Sequence, residues 1–268
     1  MITCKEYAQD VKENLRKRIS FIGKKPTLTI IQIGDNQASN AYVGGKIRDC
    51  KEVGINSRLI KLSETISQID FEKTVKNEVN SECSDGIIIQ LPLPAHLNEK
   101  GAMKHIPPNM DVDGFRNDTC FTPCTPLGII RYLKANNIEM EGKHCVIIGR
   151  SDIVGKPMAK LMLSENATTT VCHSKTKNLA DITRMADIII VAVGVRDILT
   201  GDMVKEGAVV VDVGINRNEE GKLCGDCHYP SLVDKCSLIT PVPSGVGLIT
   251  RATLLQNVFD AQANFSYK

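Results

Sequence analysis

Short apolar, β-branched runs alternate along this chain with longer stretches in which apolar residues recur every three to four positions. Residues 27–33, 57–62 and 85–90 read as strands, with helices over 1–22, 39–53 and 65–81 around them. A helix near 98–106 follows, then one that begins at Pro123-Cys124-Thr125-Pro126 and ends near Asn136. A polar connector, 137–143, precedes a second rhythm with strands at 144–149, 168–172, 187–193 and 208–213 and helices at 154–165 and 178–185. A short helix at 231–235, a proline-glycine loop at 239–247 and a last helix from about 248 to 268 complete the pattern. Strands alternating with helices predict parallel sheets built from βαβ units. The expected fold class is α/β. Two α/β domains are expected, 1–136 and 137–247, the second of Rossmann type, with the C-terminal helix, about 248–268, joining the first.

Residues 39–54 depart from an ordinary helix. Ser39 is placed to cap its start and Gly54 to stop it. Tyr42 and Lys46, four apart, share a face. Between them Gly44-Gly45 costs about 1 kcal/mol per glycine against alanine, a cost that fits a helix keeping space against its backbone for a ligand or another helix. An exposed Tyr-Lys pair on a plain helix is the competing reading. Gln90 ends the third strand, just before Leu91-Pro92-Leu93-Pro94. Ligands of open α/β sheets collect at such carboxyl ends, although a solvated polar residue satisfies the position equally. Asp111 and Asp113 flank a glycine turn at Gly114. They suit a hydrogen-bonding site or turn chemistry, and with no third ligand at a convincing spacing a metal is set aside.

In the second half the first strand-to-helix turn is Gly149-Arg150-Ser151-Asp152-Ile153-Val154-Gly155. It is not the G-x-G-x-x-G fingerprint, yet a glycine turn entering a helix offers backbone N–H groups to phosphate. After the second strand, His173-Ser174-Lys175-Thr176 stands where a Rossmann domain meets the adenosine ribose. An acid there would favour NAD. Hydroxyls and a cation, with Arg150 nearby, favour the 2′-phosphate of NADP, with NAD not excluded; a solvated polar loop is the alternative.

Composition narrows the partners. With 268 residues and a net charge of +2, the chain has room for two cores and no field that draws nucleic acid or an anionic membrane. The longest apolar run, 186–195, is too short to span a bilayer. Lys5, Asp10, Lys12 and Glu13 interrupt the apolar residues of the N-terminus as in an amphipathic helix and not a leader, so a cytoplasmic protein is expected. Ten cysteines in a chain of this length are expected as reduced thiols. Cys224-Gly-Asp-Cys227-His228 matches a haem-attachment pattern and half a zinc site, but its strand-and-turn setting and the lack of a second pair argue against both.

Taken together and in order, Tyr42-Val43-x-x-Lys46, Gln90-Leu91-Pro92-Leu93-Pro94, Asp111-Val112-Asp113-Gly114, Pro123-Cys124-Thr125-Pro126, Gly149-Arg150-Ser151 through Gly155-Lys156-Pro157, Asp212-Val213-Gly214-Ile215-Asn216-Arg217 and Pro241-Val242-Pro243 carry a resemblance. The chain resembles the bifunctional methylenetetrahydrofolate dehydrogenase/methenyltetrahydrofolate cyclohydrolase family over nearly its whole length. The resemblance implies a folate cleft between the domains, NADP on the second, and a homodimer through the Rossmann domains. It implies oxidation of 5,10-methylenetetrahydrofolate to the methenyl compound and hydrolysis of that to 10-formyltetrahydrofolate, in one-carbon metabolism. By the same resemblance Lys46 is the central catalytic residue, Tyr42 stacks on the folate, Gln90 bonds near the lysine and Asp113 holds the pterin. Pro243 and Gly247 border the substrate; Gly149, Arg150, Ser151, Ser174 and Ile215 line the cofactor site. A member with one activity, another two-domain NAD(P) dehydrogenase and a non-catalytic NAD(P)-binding protein are the alternatives. The chain departs from the family pattern in a short 114–123 segment, in Ser244, and in Leu248, Ile249 and Arg251, the last replacing a small or apolar residue.

Overall fold

The computed structural model describes residues 1–265, and the chain forms two compact units. One contains Gln9–Cys124 and the chain from Arg251 onward; the other contains Met1–Ala8 and Thr125–Thr250. The pattern of apolar residues had suggested divisions at 136/137 and 247/248. In the structure α5 (Cys124–Ala135) goes with the second unit from Thr125 onward, where Tyr132 meets Tyr7 edge-on at 5.7 Å and its hydroxyl donates to Ile2 O (3.1 Å).

The first unit runs α1 (Cys4–Ser20), β1 (Thr27–Ile33), α2 (Gln37–Val53), β2 (Asn56–Leu62), α3 (Gln68–Asn80), β3 (Gly86–Ile89) and α4 (Glu99–Met103). Its parallel sheet has the order β2-β1-β3. The central strand β1 is buried along nearly its whole length, its polar Thr29 and Gln32 included, as in a strand covered on both faces. Beyond β3 the chain returns as a single bridge, Ile87 to Asp111, which sets the Asp111–Asp113 segment at the edge of the sheet. One core packs Leu28, Ile30 and Ile88 against Val43, Cys50 and Val53 of α2 and Leu254, Leu255 and Val258 of the last helix. Ile31, Ile87 and Ile89 face the other way onto Phe71 and Val75 of α3.

The second unit continues with β4 (His144–Ile148), α6 (Gly155–Ser164), β5 (Thr168–Cys172), α7 (Leu179–Arg184), β6 (Ile188–Val191), a 3₁₀ turn (Gly201–Met203) and β7 (Val209–Asp212). A small antiparallel hairpin, β8 (Asn216–Arg217) and β9 (Leu223–Cys224), follows, then α8 (Tyr229–Leu232), β10 (Leu238–Ile239) and the start of α9 (Val246–Phe265), which belongs to the first unit from Arg251 onward. The five-stranded parallel sheet has the order β10-β7-β6-β4-β5. The chain steps outward from β4 to β5 and then crosses to β6 on the other side. The switch point therefore lies between β4 and β6, at whose carboxyl ends open α/β sheets bind ligands. Neither the hairpin nor β10 was expected, because two-residue strands carry too few side chains to show a period. The helix ends differ from expectation by one or two turns at most, and the expected continuation of α9 over 266–268 lies outside the described residues.

Candidate active site

Helix α2 begins before its expected cap. Asn36 Oδ1, not Ser39, accepts the Ser39 N–H (3.1 Å), the bond an N-cap makes to the third helical residue. Ser39 is an internal, buried residue. The stop is where the sequence placed it: Gly54 has φ +89 and its N–H returns to Cys50 O (3.0 Å).

On this helix Tyr42 and Lys46 are both half-buried. Lys46 Nζ donates to Gln90 Oε1 at 3.2 Å, joining α2 to the carboxyl end of β3. The Gln90 amide is oriented by its own neighbour, since Nε2 donates to Leu91 O (2.7 Å) and so turns the carbonyl oxygen to the lysine. Asp113 is buried; burial pushes its carboxyl up from the ordinary aspartate value, the Lys46 charge opposes this, and Asp111 adds to it. Burial and the Asp113 charge also raise the Cys124 thiol well above its usual value, so it stands there protonated. Asn257 Nδ2, from α9, donates to Val112 O (2.9 Å) and fixes the backbone beside Asp113. The two acids have separate tasks: Asp111 accepts the Arg116 N–H (2.8 Å) as a turn residue, while Asp113 faces the lysine's charge. An ammonium or amine, a carbonyl oxygen fixed by its amide, a phenol and a buried acid are thus gathered in one unit. They can move protons at a substrate atom near Nζ and bind a flat polar ring.

The glycine pair of α2 has a partner. A Cβ on Gly45 would lie 2.6 Å from Arg251 Nη1, so the guanidinium rests on the helix backbone there. Gly44 is less constrained, with only the mobile tip of Arg48 within reach of a Cβ.

The expected cofactor residues gather at the switch point of the second unit. Gly149 follows β4 with φ +127, and a Cβ there would lie 2.3 Å from Ala192 O. Only glycine lets the chain turn this closely. Gly155 opens α6 with its Cβ position 2.3 Å from Gly149 O. The two glycines let the strand-to-helix turn pack tightly against the loop after β6 and against itself. Ser151 Oγ accepts the Val154 and Gly155 N–H groups (3.1 and 3.3 Å) at the entry to the helix. Arg150 and Ser174 are exposed, after β4 and β5 respectively, and Ile215 is exposed after β7. Pro243 is exposed on the loop before α9 and Gly247 is exposed in the first turn of α9, both in this same unit.

The sequence reading missed Asp226, the residue inside the rejected Cys-x-x-Cys pattern. It is fully buried: Oδ2 accepts Val193 N (2.8 Å) and Gly194 N (3.0 Å), and Oδ1 accepts Asn216 Nδ2 (2.8 Å). Asp212, at the end of β7, likewise accepts the N–H groups of Gly214, Asp226 and Cys227 (3.1, 2.9 and 2.9 Å). The two carboxylates tie the loops after β6 and β7 to the strand after the hairpin. A Gly-Asp step in an otherwise small-residue turn was the available clue.

Comparison with known proteins places these features. Residues 2–113 match the model for the catalytic domain of tetrahydrofolate dehydrogenase/cyclohydrolase, and residues 123–266 that for its NAD(P)-binding domain. The bifunctional protein FolD of Oceanobacillus iheyensis is 45% identical over 273 residues, 97% of this chain and 96% of that protein. The structure of the bifunctional enzyme FolD, methylenetetrahydrofolate dehydrogenase/cyclohydrolase, from Campylobacter jejuni is 43% identical, covers 98% of each chain and superposes with a TM-score of 0.95. The Trypanosoma brucei methylenetetrahydrofolate dehydrogenase-cyclohydrolase, in complex with NADP and an inhibitor, is 30% identical over 100% of this chain and 98% of its own, with a TM-score of 0.94.

Proposed function

The chain belongs to the tetrahydrofolate dehydrogenase/cyclohydrolase family, and on that premise we propose that Lys46 carries the proton chemistry of its folate site. The enzyme oxidises 5,10-methylenetetrahydrofolate with a nicotinamide cofactor and hydrolyses the methenyl product to 10-formyltetrahydrofolate. The contact that carries the proposal is Lys46 Nζ to Gln90 Oε1.

The methenyl carbon is a cationic electrophile. Water attack on it releases one proton. When the C–N5 bond then breaks, N5 gains a proton as the carbinol hydroxyl loses its own to become the formyl oxygen. One proton is thus released overall, and a single amine can accept a proton in the first step and return it in the second. Gln90 steers Nζ because its own amide is already held by Leu91 O. Tyr42, one turn before Lys46, offers a flat face for the aryl part of the substrate. Asp113, kept in a buried setting that raises its carboxyl, suits the paired N–H and carbonyl edge of a pterin. The bound nicotinamide supplies the hydride acceptor, and that step asks of the protein alignment and not a base. Gly149, Arg150, Ser151, Ser174 and Ile215 hold the cofactor in this reading. Arg150 and Ser174 supply a cation and a hydroxyl for a 2′-phosphate, which favours NADP over NAD. Pro243 and Gly247 border the substrate. We also infer a homodimer in the cytoplasm. Its support is the exposed apolar side chains Val195, Ile215, Leu223, Tyr229 and Val233 of the second unit, with all ten cysteines free.

Lys46→Met tests the central role. Expected is loss of cyclohydrolase activity by about 10²-fold or more, the scale of a removed general acid-base, with binding of the cofactor unchanged. Formyl product formed at the wild-type rate would refute it.

A further inference from the structure

Three observations tie Arg251 to helix α2. Its Nε donates to Asp49 Oδ2 at 2.7 Å, its Nη1 occupies the space a Cβ on Gly45 would need, and its charge acts on the Tyr42 phenol, opposing the rise that burial causes. Asp49 is itself bound to Lys12 (3.4 Å), which pairs with Glu52 (2.6 Å), so the guanidinium is anchored at its Nε end by a network that also holds α1 to α2. Residues 42, 45 and 49 form one stripe of α2, and Lys46 is the residue next to the covered glycine. A planar, permanently charged head lying on that stripe fixes the helix face from which Tyr42 and Lys46 project.

We propose that Arg251 is a positioning residue of the folate site: through Gly45 and Asp49 it sets the attitude of Tyr42 and Lys46. The inference rests on the role given to Lys46. It also accounts for Gly45: any larger residue lifts the guanidinium off the helix.

The test combines Gly45→Ala, Arg251→Ala and the double variant, with both activities, the NADP KM and thermal unfolding measured on each. R251A is expected to lower cyclohydrolase kcat about tenfold, more than dehydrogenase kcat, with NADP KM unchanged, because proton transfer at Nζ is more sensitive to lysine placement than alignment for hydride transfer. G45A should lose a similar factor in the presence of Arg251. The double variant should lose no more than either single variant, about tenfold and not a hundredfold, since both changes break the same contact; coupling of this kind is expected only between residues in contact. If R251A is insoluble, Arg251→Gln, whose shorter head leaves Gly45 uncovered, replaces it in the same comparison. Proportional loss of both activities in R251A, or a double variant slowed by the product of the two single losses, overturns the proposal. The outcomes are separable from the reading beneath: retained cyclohydrolase activity in K46M removes the site assignment, whereas additive G45A and R251A effects remove only this inference.

Discussion

Replacing Asp226 by asparagine probes the join between the sheet and its cofactor loops with a change of one atom. The carboxylate accepts three hydrogen bonds at 2.8–3.0 Å in a fully buried position. An asparagine that keeps its oxygen on Val193 and Gly194 sets its NH₂ against the Asn216 amide, donor to donor. Asn216 does not escape by flipping, because its Nδ2 also donates to Gly225 O (3.0 Å). Turned the other way, the new side chain loses both backbone bonds. The cheaper choice forfeits one charge-assisted bond and leaves buried donors unmet, about 2–3 kcal/mol. For a protein of this size that is a fall in Tm of roughly 5–10 °C. The freed Val193–Gly194 loop lies beside the Gly149 turn, whose Cβ position is filled by Ala192 O, so NADP KM should rise about tenfold. Differential scanning fluorimetry with and without NADP, together with dehydrogenase kinetics, reads both quantities. An unfolding temperature within about 1 °C of wild type and an unchanged NADP KM would refute the reasoning.

Two other outcomes follow from the same structure. Asp113 is raised by burial in the folded state, so the folded protein holds its proton over a pH range in which the unfolded chain has lost it; stability is thus spent as pH rises through that range. Asp113→Asn is therefore expected to raise Tm at pH 8, with the gain vanishing as pH falls to the ordinary aspartate value of 3.8, while folate KM increases. A variant less stable than wild type at pH 8, or one with unaltered folate KM, contradicts this. The inferred dimer predicts a mass by sedimentation equilibrium of about twice the 29.3 kDa of the chain at micromolar concentration, and Leu223→Glu, on the exposed hairpin, should shift it to monomer. A wild-type monomer would remove the inference.

What the sequence determined by itself is local. The short β-rich run of β1 marked a strand, Gly54 stopped α2, and the alternation of periods required parallel sheets. Tyr42 and Lys46 were bound to share a face wherever their helix went, because helix geometry needs only four residues to act. Tertiary structure decided the rest. Whether that face was solvent or site depended on Gln90, delivered from the end of β3. The reason for Gly45 stood in Arg251, whose bond to Asp49 joins residues 202 apart. Asp226 looked like part of a thiol motif until folding set its carboxylate under the loop after β6, a separation of 33 residues. Hydrogen bonds and steric exclusion act over a few ångströms in space, whatever the distance along the chain. A residue whose partners come from another element therefore shows its purpose only after the backbone has brought them together.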